Sequence, residues 1–479
     1  MRTLPLLSLA LLLGACTVGP NYAGPPQTLS ASATAFKRGG TVATAAAPGV
    51  ADWWTQLGDA TLTDLERRAL AANPNVAVAQ ARLRQARATL RLDRANQAPS
   101  ANASAVYAHA RVPGIDFGGS SSGGTSGGGS DASAIDLYNL GFDASWEVDL
   151  FGGRRRQVEA SRAQAEAAEA NVADAQVSLT ADVAQAYVNL RDRQRRIALA
   201  RQSAEMQQRM LTLVRQRFDR GAASALDVER LQGQVETTNG QIVPLQAELE
   251  SYLNALAVLV GEEPGSLDTL LATPAPVPLP PASVAVGDPT SLLQRRPDIR
   301  AAERQLAQRT AQIGVADAAR FPRLNILGLI GLGGTQLSDI SPDKLLAVGA
   351  PMLQWNFLDF GRNRARINQA EGQRDEAEAQ YRGAVLGALR DAEDALSRFG
   401  HRRETVASLM RSKASADRAA SLMQQRFQAG TATLIDTLDA ERQRVAADQN
   451  LSSGIAALTG DYVALQKALG LGWSAPPQA

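Results

Sequence analysis

The chain has 479 residues, 45% of them hydrophobic and 20% charged, a balance that fits a folded protein and excludes a disordered one. Lys and Arg number 49 against 48 Asp and Glu, so no bulk positive field draws nucleic acid to it. The single cysteine excludes an intramolecular disulfide, and the two histidines, His109 and His401, stand far apart with no metal-ligand spacing around them.

The first 16 residues, MRTLPLLSLALLLGAC, join a basic start to an apolar run too short to span a bilayer, which predicts a secretory signal over 1–15. Leu13-Gly14-Ala15-Cys16 resembles a bacterial lipobox, implying cleavage before Cys16 and acylation of its thiol and new amino terminus. Thr17 follows where an Asp would favour retention, so the expected address is the outer membrane, with 16–61 as the lipidated leading segment.

A helix is predicted over 75–97, then strands over 100–112 and 138–149 around the Gly-Ser stretch 118–130, which has the composition of a surface loop. In the second strand Tyr138, Leu140, Phe142, Ala144, Trp146 and Val148 alternate with mostly polar residues, a period of two long enough for a tilted transmembrane strand. A half-buried soluble sheet would alternate in the same way. Residues 153–218 contain strong helix formers and few breakers, and predict a helix of about 100 Å. Its apolar stripe, from Val172 through Leu179 to Leu190, recurs at threes and fours and calls for a partner helix. Gly221 marks a turn, and a helix over 224–260 runs back, with a kink expected at Pro244. After the Pro-rich crossover 262–290 the same order returns: helix 297–320, strands 323–333 and 346–357, helix 362–427, a turn at Gly430, helix 433–469 and the tail 471–479.

The return is a repeat. Pro74 matches Pro297 and Pro99 matches Pro322 at an offset of 223; Trp146 matches Trp355 and Gly261 matches Gly470 at 209. The difference lies in the longer first loop. The repeats are bounded at 62–261, with hairpin 99–149 and helical hairpin 153–260, and at 291–470, with hairpin 322–358 and helical hairpin 362–469. Two β-hairpins per chain are too few to close a barrel, and an open sheet edge cannot be satisfied in hydrocarbon, so a membrane barrel must be shared among chains. The fold class is therefore α+β, a membrane protein with long helices and a shared barrel.

CTVGPNY (16–22), WWTQLGDATLTDLERRALAANP (53–74), RRPDIRAAERQL (295–306) and the twin turns QRFDRG and QRFQAG together resemble the outer-membrane factors, the TolC-like exit ducts, and specifically their lipoprotein branch. The resemblance implies a homotrimer: a β-barrel with four strands from each chain, continued by a periplasmic α-helical coiled-coil barrel. An equatorial region is implied where the segment 16–61, the crossover and the C-terminus pack. The implied partners are outer-membrane lipid, a periplasmic adaptor (membrane fusion) protein and an inner-membrane pump, of the RND type rather than the ABC type, with no nucleic acid. The Gly turns become the periplasmic tips, and Gly221 and Gly430 the places where an adaptor hairpin would insert.

At those tips Asp436 and Asp439 stand three apart at a helix start, able to share a face or simply to cap the helix. On a threefold axis they would form rings that constrict a pore, and the resemblance places the gate here, with Ile435 as its apolar neighbour. Asp227 is the first-copy counterpart of Asp436, and Arg230 of Asp439. Where some relatives carry a latching aromatic hydroxyl and Arg, this chain has Phe427 and Ala432, leaving Arg217, Arg426 and Arg230 as alternative latch residues. No Walker-type sequence, metal cluster or cofactor motif is found, so no enzyme is expected. The competing reading is a lipid-anchored coiled-coil stalk without a pore; it leaves the twice-placed period-two segments unexplained.

Overall fold

A computed structural model describes residues 17–26, 35–40, 42–112 and 133–474. The signal segment, Cys16, the Gly-Ser stretch and the end of the tail lie outside the described residues.

Breaker-free, Ala-rich sequence becomes long helix. In chain order the described elements are the short strand β1 (Ala43–Thr44), α1 (Ala60–Ala72), α2 (Pro74–Ala95), β2 (Ser100–Val112), β3 (Ser133–Val148), α3 (Gly153–Asp219), α4 (Ala225–Leu259), α5 (Asp268–Leu271), β4 (Val284–Ala285), α6 (Pro289–Arg295), α7 (Pro297–Ala318), β5 (Arg323–Gly334), β6 (Leu345–Gln354), α8 (Arg362–Gln428) and α9 (Leu434–Ala468). Both α3 and α8 have 67 residues, α4 and α9 have 35, and α2 and α7 have 22. Pro244 lies inside α4, which continues through it from Ala225 to Leu259.

Strands β2, β3, β5 and β6 form one antiparallel sheet in that order, and β1 pairs with β4 in parallel. The last strand is shorter than its alternation suggests. It ends at Gln354, opposite Arg323 where β5 begins, so Trp355 and Phe357 have no strand to pair with and fall outside it. No described helix is long and apolar enough to cross a membrane.

The chain divides into two compact units. The first takes in residues 1–25, 84–166 and 304–379, including the four-stranded sheet; the second takes in 26–83, 167–303 and 380–479. The second unit has the larger core. Trp53 packs edge-on against Trp54 and Tyr462, ring centroids 5.9 Å apart in both pairs, above Leu62, Leu65, Leu190 and Phe399, all buried. Burying an aromatic side chain contributes a few kcal/mol, so this cluster fixes the segment that precedes α1. Tyr187 on α3 donates to the Asp59 carboxylate at 2.7 Å, and the same carboxylate caps α1 through Leu62 N–H. Burial, reinforced by that hydrogen bond, pushes the Tyr187 hydroxyl up to about 12.

Candidate functional site

The sheet is amphipathic in a way its register makes explicit. Directly opposed residues share a face, and the face that carries Leu140, Phe142 and Trp146 on β3 carries Ala103 and Ala105 on β2, Ile326 and Ile330 on β5, and Pro351 and Leu353 on β6. Phe142, Ile330 and Leu353 are exposed. The other face is polar along the first hairpin, where Asn102 donates to Asp143 at 3.2 Å and the Ser100 and Ser145 hydroxyls meet at 3.0 Å. Along the second hairpin that face is more apolar, with Leu327, Val348 and Met352. Aromatic residues with polar handles sit at both ends of the apolar face. Tyr107 and Tyr138 pack 5.0 Å apart at one end, beside Asp136, which accepts from Tyr107 and pairs with His109. At the other end Trp146 and Trp355 each donate the indole N–H at 3.0 Å, to the carbonyls of Gln97 and Arg320. An apolar band between aromatic rims is the dress of a membrane-spanning β-wall.

The hairpin tips lie in the second unit. Gly221 and Gly430 have φ +73° and +74°, in the left-handed region, and a Cβ on either would meet nothing within 4 Å, so the backbone angle is what requires glycine there. Asp436 is tied into a capping box: its carboxylate accepts from Thr433 N–H at 3.1 Å and Thr433 Oγ at 2.6 Å, while Thr433 Oγ accepts from Asp436 N–H. Asp227 does the same with Ser224. Those side-chain hydrogen bonds hold both carboxyls below the usual carboxylate range. Asp439 points elsewhere, taking Arg442 at 2.6 Å and Gln443 at 2.6 Å. The two acids the spacing placed on one face are thus engaged separately, one as cap and one in an i,i+3 ion pair. Ile435 is 50% exposed. Arg217 lies over the Phe427 ring, 5.3 Å from its centroid, joining the end of α3 to the end of α8. Arg426 stands near enough to Asp436 to act on it electrostatically, as Arg230 does on Asp227. His109 pairs with Asp136 and His401 with Glu404, and no group of metal-ligating side chains occurs among the described residues.

One cluster escaped the sequence reading. Arg156, its side chain 4% exposed, reaches the segment just after Cys16 and donates to Val18 O at 3.1 Å, Gly19 O at 3.0 Å and Asn21 Oδ1 at 2.7 Å, while also pairing with Glu159. Gly19 and Gly314 leave the room: a Cβ on Gly314 would come within 2.8 Å of Arg156 Cγ, and one on Gly19 within 2.5 Å of Gly314 Cα. Farther along, Tyr22 lies under Arg304, 5.6 Å from the guanidinium carbon. At the offsets of 209 and 223 read from the sequence, Arg156 falls opposite Ala365 and Gly314 opposite Arg91, a mismatch that could have flagged the pair.

A β-wall with one lipid-facing side, continued in sequence by helices of 67 residues, defines an outer-membrane channel protein with a helical extension. The chain belongs to the outer membrane efflux protein family, whose match covers residues 65–262 and 289–471. It is 32% identical over 471 residues to outer membrane protein OprJ of Pseudomonas aeruginosa, covering 98% of this chain and 95% of that one. Nodulation protein T of Rhizobium leguminosarum bv. trifolii is 30% identical, covering 97% of this chain and 96% of that one. The solved outer-membrane channel OprN superposes with a TM-score of 0.84 at 35% identity, covering 96% of this chain and 100% of that one. The protein is thus an efflux channel of the outer membrane, in a family of channels rather than enzymes.

Proposed function

We propose that three copies of the chain build one exit duct: a closed barrel in the outer membrane and a periplasmic helical tunnel that receives small molecules from an inner-membrane pump through an adaptor protein. The observation that carries this reading is the sheet. Its four strands present an apolar face between aromatic rims, yet among the described residues of one chain the outer edges of β2 and β6 have no strand beside them. Such an edge is stable in lipid only if another chain closes it. The chain as two tandem repeats, with 62–261 and 291–470 as the copies, is supported by the matched lengths of α2 and α7, α3 and α8, and α4 and α9. Anchoring through an acylated Cys16 is supported by the lipobox and by the Arg156 clamp on the residues that follow it.

The tips are the gate in this reading. Asp436 and Asp227 each cap their own helix and are held ionised, so three copies would ring the mouth with negative charge; Asp439, Ile435 and Arg230 line the same turns. Arg217 on Phe427 is the latch within a chain, and Arg426 is left for the neighbouring subunit. Gly221 and Gly430 keep the turns slim enough for adaptor contact. An RND-type, proton-driven pump is the favoured energy source, an ABC-type exporter the other.

The test is accumulation of an amphiphilic dye such as ethidium in cells lacking this protein but keeping their inner-membrane pumps. Accumulation rises if the chain is the exit duct and returns to normal on complementation. Unchanged accumulation, with a native mass of one chain in detergent, would favour the stalk.

A further inference from the structure

The two junctions from strand to long helix stand at equivalent places in the repeat, yet they treat their arginines differently. In the first, between β3 and α3, each arginine has an acid: Arg154 pairs with Glu147 at 2.6 Å, Arg155 with Asp149 at 3.2 Å and Arg156 with Glu159 at 2.7 Å. At the offset of 209 those acids fall on Asn356, Leu358 and Asn368, so the second junction, between β6 and α8, lacks all three carboxylates. It keeps the positive charge. Arg362, Arg364 and Arg366 open α8 and are exposed. The acid that precedes them, Asp359, is spent on the helix start, accepting from Gly361 N–H at 3.0 Å and Asn363 N–H at 2.7 Å. Arg362 acts on that carboxylate electrostatically, whereas Arg364 and Arg366 have no ion pair among the described residues. Cations at a helix N-terminus oppose the macrodipole, so the helix itself gives no reason for them.

The apolar residues of the two junctions part in the same way. Phe151 of the first stacks on Phe321, centroids 4.6 Å apart, while its counterpart Phe360 is 83% exposed. Phe360 also holds φ +50°, the one positive φ of a non-glycine among the described residues, a strained angle of the kind that gathers at functional positions. With Trp355, Phe357 and Leu358, all exposed, it makes an apolar run that leads directly into the arginines. The Trp355 indole, donated to Arg320 O at 3.0 Å, belongs to the aromatic rim of the lipid-facing band, so the arginines follow at its helix side. We propose that the junction between β6 and α8 is a docking surface for anionic phospholipid headgroups of the periplasmic leaflet. Trp355, Phe357 and Phe360 enter the acyl boundary, and Arg364 and Arg366, with Arg362 beside them, hold the phosphates. Aromatic rings next to a cluster of cations are an interfacial anchor, and a guanidinium meets a phosphate through two parallel hydrogen bonds. The first junction, neutralised by its own acids, takes no part. This inference goes beyond the conduction reading, because it needs the membrane wall but neither the trimer nor the gate.

Native mass spectrometry of the purified full-length protein, taken from micelles doped with equal phosphatidylglycerol and phosphatidylcholine, tests this. Wild type is expected to retain phosphatidylglycerol in preference to phosphatidylcholine, and to keep it in excess inorganic phosphate. The Arg364→Gln, Arg366→Gln double variant should lose the preference at unchanged native mass. An Arg411→Gln, Arg418→Gln double variant, which removes the same charge from exposed positions later on α8, should keep it. Equal retention of phosphatidylglycerol by wild type and the junction variant would overturn the proposal, as would equal loss from both double variants, which would mark a net-charge effect. Displacement of the lipid by inorganic phosphate would overturn it in favour of a soluble anion. Loss of lipid together with a fall in native mass would also overturn it, since the arginines would then serve a neighbouring subunit. A wild-type mass of one chain would defeat the trimer reading and leave the lipid result standing.

Discussion

Replacing Phe427 by Leu isolates one polar contact between the two helical hairpins at their tips, where Leu434 and Leu438 of the second also pack against the apolar cluster of the first. The leucine keeps apolar bulk but removes the ring face over which Arg217 sits, 5.3 Å from the centroid. At an exposed site a cation–π pair contributes about 0.5–1 kcal/mol. In the proposed trimer, with one such contact in each of three subunits, a concerted opening loses roughly 1.5–3 kcal/mol of resistance, which raises the open population by about 10-fold to about 150-fold. The readout is release of a trapped fluorescent dye from proteoliposomes. Phe427→Leu and Arg217→Ala should speed release to similar extents, the double variant should add little to either, and Phe427→Tyr should stay near wild type. Release from Phe427→Leu at the wild-type rate would refute the assignment of this pair as a latch.

Two further predictions concern the second unit and the clamp. Both carboxylate oxygens of Glu66 on α1 are buried without a hydrogen-bond partner, and burial raises its pKa well above the ordinary carboxylate value. A raised folded pKa contributes stability that is whole below the unfolded value and is lost as pH climbs toward the folded one. Glu66→Gln should therefore match wild type near pH 4 and be the more stable protein above that window; equal thermal midpoints at both pH values would mean that the carboxyl is not neutral. Arg156→Ala removes charge-assisted hydrogen bonds worth about 1.5–3 kcal/mol each in typical settings, leaving Val18 and Gly19 carbonyls unpaired. The stretch after Cys16 should become susceptible to limited proteolysis while the rest of the chain stays resistant; unchanged protection would show that the clamp does not hold it.

How much of this was legible depends on what each residue must touch. Helices of 67 and 35 residues follow from local composition, since Ala, Gln, Arg and Glu need no distant partner to favour that backbone. The strands follow from a period of two, but the end of β6 does not: pairing stops where β5 begins, a limit set by a neighbouring strand and invisible in the alternation of Leu353, Trp355 and Phe357. Spacing placed Asp436 and Asp439 on one face, and Thr433 then turned the first back on the helix while Arg442 took the second. Local hydrogen bonding outcompeted the geometry of the stripe. Glu66 reads as an ordinary charge on a helix, because only the packed structure tells which turn faces inward, and Arg156 stands out in the sequence only by its mismatch with Ala365.

The proposed duct is a pore closed by its helix tips, and single-channel conductance of the purified protein in planar bilayers tests it most directly. Wild type should give discrete, small steps, and the Asp436→Asn, Asp439→Asn double variant larger ones, because asparagine keeps hydrogen-bonding capacity while removing the ring of charge. Steps of the same size in both proteins would move the constriction away from the tips. No steps from a correctly folded trimer would contradict the duct.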